Sequence, residues 1–137
     1  FQRYNLLPFY SVFDNVELTL ILNKIDSTQR FKKVNQAIEW VGLSDKRDSR
    51  PSMLSGGECQ RTAIARAIVH QPALVMADEP TANLDAENSH HIMKILTNLN
   101  QELTTSFVFA THDEKIHGLS KTDHSFRRWA DQKRSAY

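Results

Sequence analysis

The apolar positions along this chain change period part-way through it. Between Ser11 and Asn23, the residues Phe13, Val16, Leu18, Leu20, Ile21 and Leu22 predict a mostly buried helix, with Ser11 or Asp14 placed to cap its start. From Ser27 to Val41, the residues Phe31, Val34, Ala37, Ile38 and Val41 recur at three- and four-residue steps. Arg30, Lys32, Lys33, Gln36 and Glu39 fill the opposite face, so this segment reads as an amphipathic helix that Gly42 stops. The polar stretch from Asp45 to Pro51 predicts a loop. A third helix is expected from about Gly57 to His70, with Ile64, Ala67 and Ile68 on its apolar face and Pro72 preventing its continuation.

Beyond Pro72 the helical period gives way to short continuous runs. Ala73 to Ala77 is apolar throughout and of strand length, which predicts a parallel strand covered on both faces. Asp85 is placed to cap a further helix striped by Ile92, Ile95, Leu96, Leu99 and Leu103, and Ser106 to Ala110 predicts a second buried strand. Strand, helix, strand in that order implies a right-handed crossover in a parallel sheet, preceded by a helical subdomain. Lys115 to Tyr137 has no sustained periodicity and is expected to be disordered.

Composition narrows the function classes more than it changes this outline. With 137 residues, 40% of them hydrophobic and 24% charged, the chain fits one globular unit. A net charge of +1 gives no reason to expect a nucleic-acid partner. The single cysteine, Cys59, excludes an intrachain disulfide framework and suits a reducing compartment, the cytosol. No apolar run reaches the roughly 18 to 20 residues that span a bilayer, and the start is not that of a secretory signal, so contact with a membrane is expected through a partner. The opening, Phe1-Gln2-Arg3-Tyr4-Asn5-Leu6-Leu7-Pro8, starts in mid-pattern and is read as cut at the front.

Candidate chemistry gathers at three places. Leu54-Ser55-Gly56-Gly57-Glu58-Cys59-Gln60-Arg61 puts a serine and two glycines at a helix start, where unpaired N–H groups and the positive dipole end suit phosphate oxygens. The same pattern also serves an ordinary serine-capped helix with a flexible lead-in. Leu74 to Pro80 is an apolar strand ending in adjacent carboxylates, Asp78 and Glu79, at the ligand-facing edge expected of an open α/β sheet. Side chains alternate along a strand, so one acid can hold Mg²⁺ in its water shell while the other polarises an attacking water; a solvated turn is the plainer alternative. Thr111-His112-Asp113 adds an imidazole at the end of the following strand, whereas His90 and His91 read as surface residues on a helix.

In order and spacing these segments resemble the ATP-binding subunits of ABC transporters, over Phe1 to about Glu114. Leu54 to Arg61 is similar to the family signature, Leu74 to Glu79 to its Walker B strand, Ala82-Asn83-Leu84-Asp85 to its D-loop, His112 to its switch histidine and Gln2 to its Q-loop glutamine. Phe1 to Pro8, Asp14-Asn15-Val16 and Ala77 to Asp85 look most like the lipoprotein-releasing and macrolide-export branch.

The resemblance implies a partial P-loop NTPase (ABC ATPase) fold of the α/β class, a helical subdomain plus the remnant of a parallel-sheet core. Its expected divisions are 1–70, 71–114 and an atypical tail, 115–137. It implies catalytic roles for Glu79, His112 and Gln2, Mg²⁺ at Asp78 and Gln2, and ATP contacts from Ser55, Gly56, Gly57, Glu58 and Asp85. The signature residues would act in trans across a head-to-tail dimer with a second ATPase subunit, and the segment from Gln2 to Pro51 would meet a membrane permease, placing the protein on the inner face of the plasma membrane.

Two departures stand against this picture. The chain's glycines are Gly42, Gly56, Gly57 and Gly118, so there is no G-x-x-x-x-G-K-[ST] loop to neutralise the phosphates of its own ATP. That loop and the adenine-stacking aromatic lie upstream of the Q-loop in the family, which makes the chain by itself an expected non-hydrolyser. The stretch from Ile116 to Tyr137 does not resemble the family's continuation. A soluble ABC ATPase and a non-catalytic remnant remain as alternatives.

Overall fold

A computed structural model describes residues 4–82 and 84–110. Its elements run α1 (Val12–Leu22), α2 (Ser27–Trp40), α3 (Gly56–Ile68), β1 (Leu74–Asp78), α4 (Ala86–Glu102) and β2 (Ser106–Ala110), with short 3-10 turns at Ser44–Lys46 and Pro51–Met53. The loop expected from Asp45 to Pro51 is bracketed by those turns. Gln2, His112 and the tail lie outside the described residues.

The first three helices start and stop on local chemistry. Ser11 caps α1 by accepting the Asp14 N–H, while the Asp14 carboxylate accepts the Ser11 N–H, so Asp14 is the reciprocal partner and not the cap. Asp26 caps α2, and Gly42 at φ +65° turns the chain away beyond its end, in the left-handed region that glycine enters without a Cβ penalty. Asn15, fully buried, donates to the carbonyls of Leu7, Tyr10 and Ser11 and accepts the Leu7 N–H, which folds the lead-in over the start of α1. A buried amide with its donors and acceptor satisfied fixes one loop conformation at no desolvation cost left uncompensated.

Helices α1, α2 and α3 pack on one another around Val12, Val16, Leu20, Val34, Ala37, Ile38, Ile64, Ala65 and Ile68. Two expectations are corrected here. Helix α1 is only half covered, with Ile21 and Leu22 exposed, because α2 and α3 both pack on its other side. Phe31 of α2 is also exposed; it leans on Phe13 at a ring separation of 5.9 Å, and the Arg47 guanidinium stacks over both rings at 4.5 and 5.2 Å.

The strands pair in parallel, with Leu74 opposite Ser106 and Asp78 opposite Ala110, and α4 crosses between them. The Thr105 hydroxyl donates to the Pro72 carbonyl at 2.7 Å and aligns the two strand starts. One hydrophobic cluster runs from Val12 through to Phe107, joining the helices to the covered face of the sheet. The expected cover on both faces is not met among the described residues. Leu74 and Met76 are exposed on one side of β1, since α3 and α4 reach only the side that carries Val75 and Phe107.

Candidate functional site

The signature-like segment enters α3 through a capping box. Ser55 Oγ accepts the Glu58 N–H at 3.2 Å, and Glu58 Oε2 accepts the Ser55 N–H at 2.7 Å. That backbone hydrogen bond is the main reason the Glu58 carboxyl is held below its usual range, with Lys46 and Arg61 adding to it. The serine-capped helix of the plainer reading is therefore present. The cap uses Ser55 Oγ as an acceptor, so the hydroxyl proton can still be donated outward to an anion. Ser55 and Gly56 are exposed, at the positive end of a thirteen-residue helix.

The two glycines have different physical reasons. A Cβ at Gly57 would stand 2.6 Å from Asn88 Oδ1, so its lack of a side chain is what lets α4 approach α3. Gly57 is buried for that reason. A Cβ at Gly56 would meet only the Tyr4 hydroxyl at 3.7 Å and Leu84 Cδ2 at 3.8 Å, ordinary contact distances. Packing inside the chain therefore does not require glycine there.

Asp85 caps α4 and is fully exposed. Its Oδ1 accepts the Asn88 N–H at 2.8 Å and its Oδ2 accepts from Asn88 Nδ2 at 2.7 Å. The first of these does most to lower the Asp85 carboxyl below its ordinary value. The Asn88 side chain thus links two helix starts, held by Asp85 on one side and in contact with Gly57 on the other. Tyr4 and Leu84 close over Gly56, so the signature-like and D-loop-like segments and the chain after Gln2 meet at one place.

Asp78 ends β1, exposed, in register with Ala110, the last residue of β2. Glu79 follows with φ +47°, a left-handed conformation that costs a non-glycine residue on the order of 1–3 kcal/mol and is held only where surrounding structure insists on it. The turn closes with Ala82 N–H donating to the Glu79 carbonyl at 3.0 Å and Leu84 N–H to the Thr81 carbonyl. Helix α3 reaches this turn, because Gln60 Nε2 donates to the Pro80 carbonyl at 2.9 Å. At its other end Arg66 donates from Nη1 to the Asn5 carbonyl at 2.8 Å and from Nη2 to the Tyr4 carbonyl at 3.1 Å, fastening the chain that follows Gln2. Burial lowers the Arg66 pKa and raises that of Tyr4.

Among the described residues no three His, Cys, Asp or Glu side chains gather into a metal-binding group. An exposed carboxylate such as Asp78 fits a magnesium ion that keeps most of its waters and takes its remaining ligands from phosphate oxygens, the usual arrangement for Mg²⁺. Gln60, Arg66 and Asn88 went unremarked in the sequence. Only Asn88 had a local signal, three residues past an Asp cap. The partners of Gln60 and Arg66 lie 20 and 61 residues away, beyond any local pattern.

The profile of the ABC transporter family matches residues 1–82, which contain the signature-like helix and the paired carboxylates. The chain belongs to the ABC transporter family. It is 42% identical over 116 residues to the lipoprotein-releasing system ATP-binding protein LolD of Bordetella pertussis, covering 85% of this chain and 50% of that one. Among solved structures it is similar to the ATP-binding cassette MJ0796 in a dimeric, post-hydrolysis state bound to ADP and Pi, at TM-score 0.71 and 36% identity, over 85% of this chain and 52% of that one. It is also similar to cbiO1 of Clostridium perfringens, part of the ABC transporter complex cbiONQ, at TM-score 0.75 and 33% identity, over 80% of this chain and 43% of that one. The chain spans about half the length of the curated relatives it matches. These cassettes carry the P-loop NTPase fold, and the described helices and parallel strands form a part of it. No helix among the described residues is long and apolar enough to cross a membrane.

Proposed function

We propose that this ABC-family chain is the signature and catalytic-carboxylate part of an ATP-hydrolysing subunit that powers a membrane permease from its cytoplasmic face. The observation that carries the proposal is the exposed helix start at Ser55 and Gly56, with Leu84 and Tyr4 beside Gly56, on a helix hydrogen-bonded through Gln60 to the turn after Asp78. Asp78 would hold the magnesium ion of Mg·ATP, which would offset the charge of the phosphates. Glu79 would orient water for attack on the terminal phosphate and accept its proton as the bond between the β and γ phosphates breaks, ADP leaving and inorganic phosphate forming. Gln2 and His112 lie outside the described residues; by the family resemblance they would serve the metal and the terminal phosphate.

Ser55 and the Gly56 amide serve a different nucleotide. Their exposure suits donation to phosphate oxygens held by a second copy arranged head to tail, as the dimeric state of the similar MJ0796 cassette supports. Gly57 lets α4 approach, and Glu58 fixes the helix start without touching phosphate, since its own carboxylate would repel one. Asp85 holds the D-loop at the same junction. Likeness to LolD supports lipoprotein release as the transport task, and the membership of cbiO1 in a transporter complex supports a permease partner. Nothing in the charge pattern calls for a nucleic-acid partner.

A chimera tests this, with the first half of the Bordetella relative joined to this chain at the matching position. The chimera is expected to hydrolyse ATP, and Glu79→Gln to lower kcat by about 10²-fold or more, the scale of a lost general base. Hydrolysis at an unchanged rate in Glu79→Gln would sink the proposal. The 137-residue chain alone, lacking a phosphate loop, is expected to show no turnover.

A further inference from the structure

Three of the observations above bear on one side chain. Glu79 sits in a left-handed conformation that its own residue type disfavours, and the residue after it is a proline, whose carbonyl receives a side-chain hydrogen bond from another element. The donor is Gln60, on the second turn of the helix that begins at Ser55. Pro80 is buried and Gln60 half-buried, so the bond is shielded from competing water. The turn that starts at Glu79 is closed from within by Ala82 N–H and tied from outside to α3.

We propose that Gln60 is a positioning residue: by donating to the Pro80 carbonyl it keeps the Glu79 backbone in its left-handed state and in fixed relation to the exposed start of α3. This rests on the function proposed above. In a head-to-tail pair, Ser55 and Glu79 of one chain serve two different nucleotides, so the Gln60 bond ties the two sites together within each subunit. Loss of the donor lets the turn relax, and Glu79 no longer aims at its water. Nucleotide affinity, set by other groups, stays as it was.

Two measurements separate this inference from the reading beneath it. The first, amide hydrogen exchange on the 137-residue chain, needs no catalysis. Gln60→Met, which keeps the length and apolar stem but has no donor, is expected to speed exchange of the Ala82 amide by roughly fivefold, the scale of one lost hydrogen bond. Gln60→Glu, matched in size and ionised, is expected to do the same, and Gln60→Lys, which restores a donor, to return it to the parent rate. Unchanged Ala82 exchange in both Gln60→Met and Gln60→Glu overturns the positioning role.

The second measurement uses the chimera. Gln60→Met is expected to lower kcat about tenfold, the cost of a slightly misplaced catalytic group, with KM within about twofold of the parent and recovery in Gln60→Lys. A catalytically active chimera whose kcat ignores Gln60→Met overturns the inference. A chimera that hydrolyses nothing, while Ala82 exchange still follows the Gln60 donor, removes the proposed function and leaves the positioning role standing.

Discussion

Around α1 and α2, Val12, Val16, Val34, Ala37, Val41 and Leu43 expose no surface at all, whereas in the sheet Leu74 and Met76 leave 52% and 78% of theirs open. The strand is the more continuously apolar of the two in sequence, so the difference lies in what packs against each. Three helices with single apolar stripes close on each other and on the loop that Asn15 holds. A parallel strand has two faces to cover, and α3 and α4 cover one. The helical region keeps its geometry through its own contacts. At the sheet, β1 is tied at both ends by hydrogen bonds from outside the strand, by Thr105 to the Pro72 carbonyl before its start and by Gln60 to the Pro80 carbonyl after its end.

The contrast can be broken by mutation. The largest effect is expected in the helical core, where Leu20→Ala or Ile38→Ala should cost about 2–5 kcal/mol in urea unfolding. An equal cost for Met76→Ser would show the sheet face to be covered after all. Next comes the junction of the two regions. Gly57→Ala drives a methyl group onto Asn88, which Asp85 holds in place, and should cost about 1–3 kcal/mol. Gly56→Ala, with ordinary contacts, should leave stability within about 0.5 kcal/mol and instead reduce hydrolysis by the chimera. If the two glycines respond alike in unfolding, the division of labour between them is wrong.

A smaller effect is expected from acid. Glu58 and Asp85 both have carboxyls lowered by capping hydrogen bonds in the folded chain. The unfolded chain then binds protons more readily, so their stabilisation is complete above the ordinary carboxylate range of about 4 and fades as pH falls through the lowered values. Unfolding midpoints measured from pH 7 downward should fall, and the Glu58→Gln, Asp85→Asn double variant should flatten that slope. The smallest change of all is predicted at the open face: Met76→Ser should shift stability by less than about 0.5 kcal/mol.

Much of this was legible in the sequence. The existence of α1 and α2, the Gly42 stop, the Asp85 cap and the span of β2 follow from local periodicity and capping chemistry, which short-range steric and hydrogen-bonding preferences dictate, whereas the exposure of Ile21, Leu22 and Phe31 does not. The exposure of Leu74 and Met76 was not legible, because an apolar run records that a strand suits burial without saying which segment buries it. As candidates, Ser55, Gly56, Asp78, Glu79 and Asp85 stood out by residue type and spacing. The different packing of the two glycines was not legible, since it depends on where Asn88 points. The left-handed backbone at Glu79 was hidden as well, because nothing in a glutamate announces a positive φ.

Arg66 holds the chain after Gln2 by its main-chain oxygens and not by any side chain of that segment. The grip itself makes no demand on the identity of residues 4 and 5, since every amino acid supplies the same carbonyl; what constrains them is separate, the Tyr4 hydroxyl beside Gly56 and the left-handed backbone of Asn5. The demand of the grip falls on the arginine, whose planar fork reaches two successive carbonyls at once and cannot be matched by lysine.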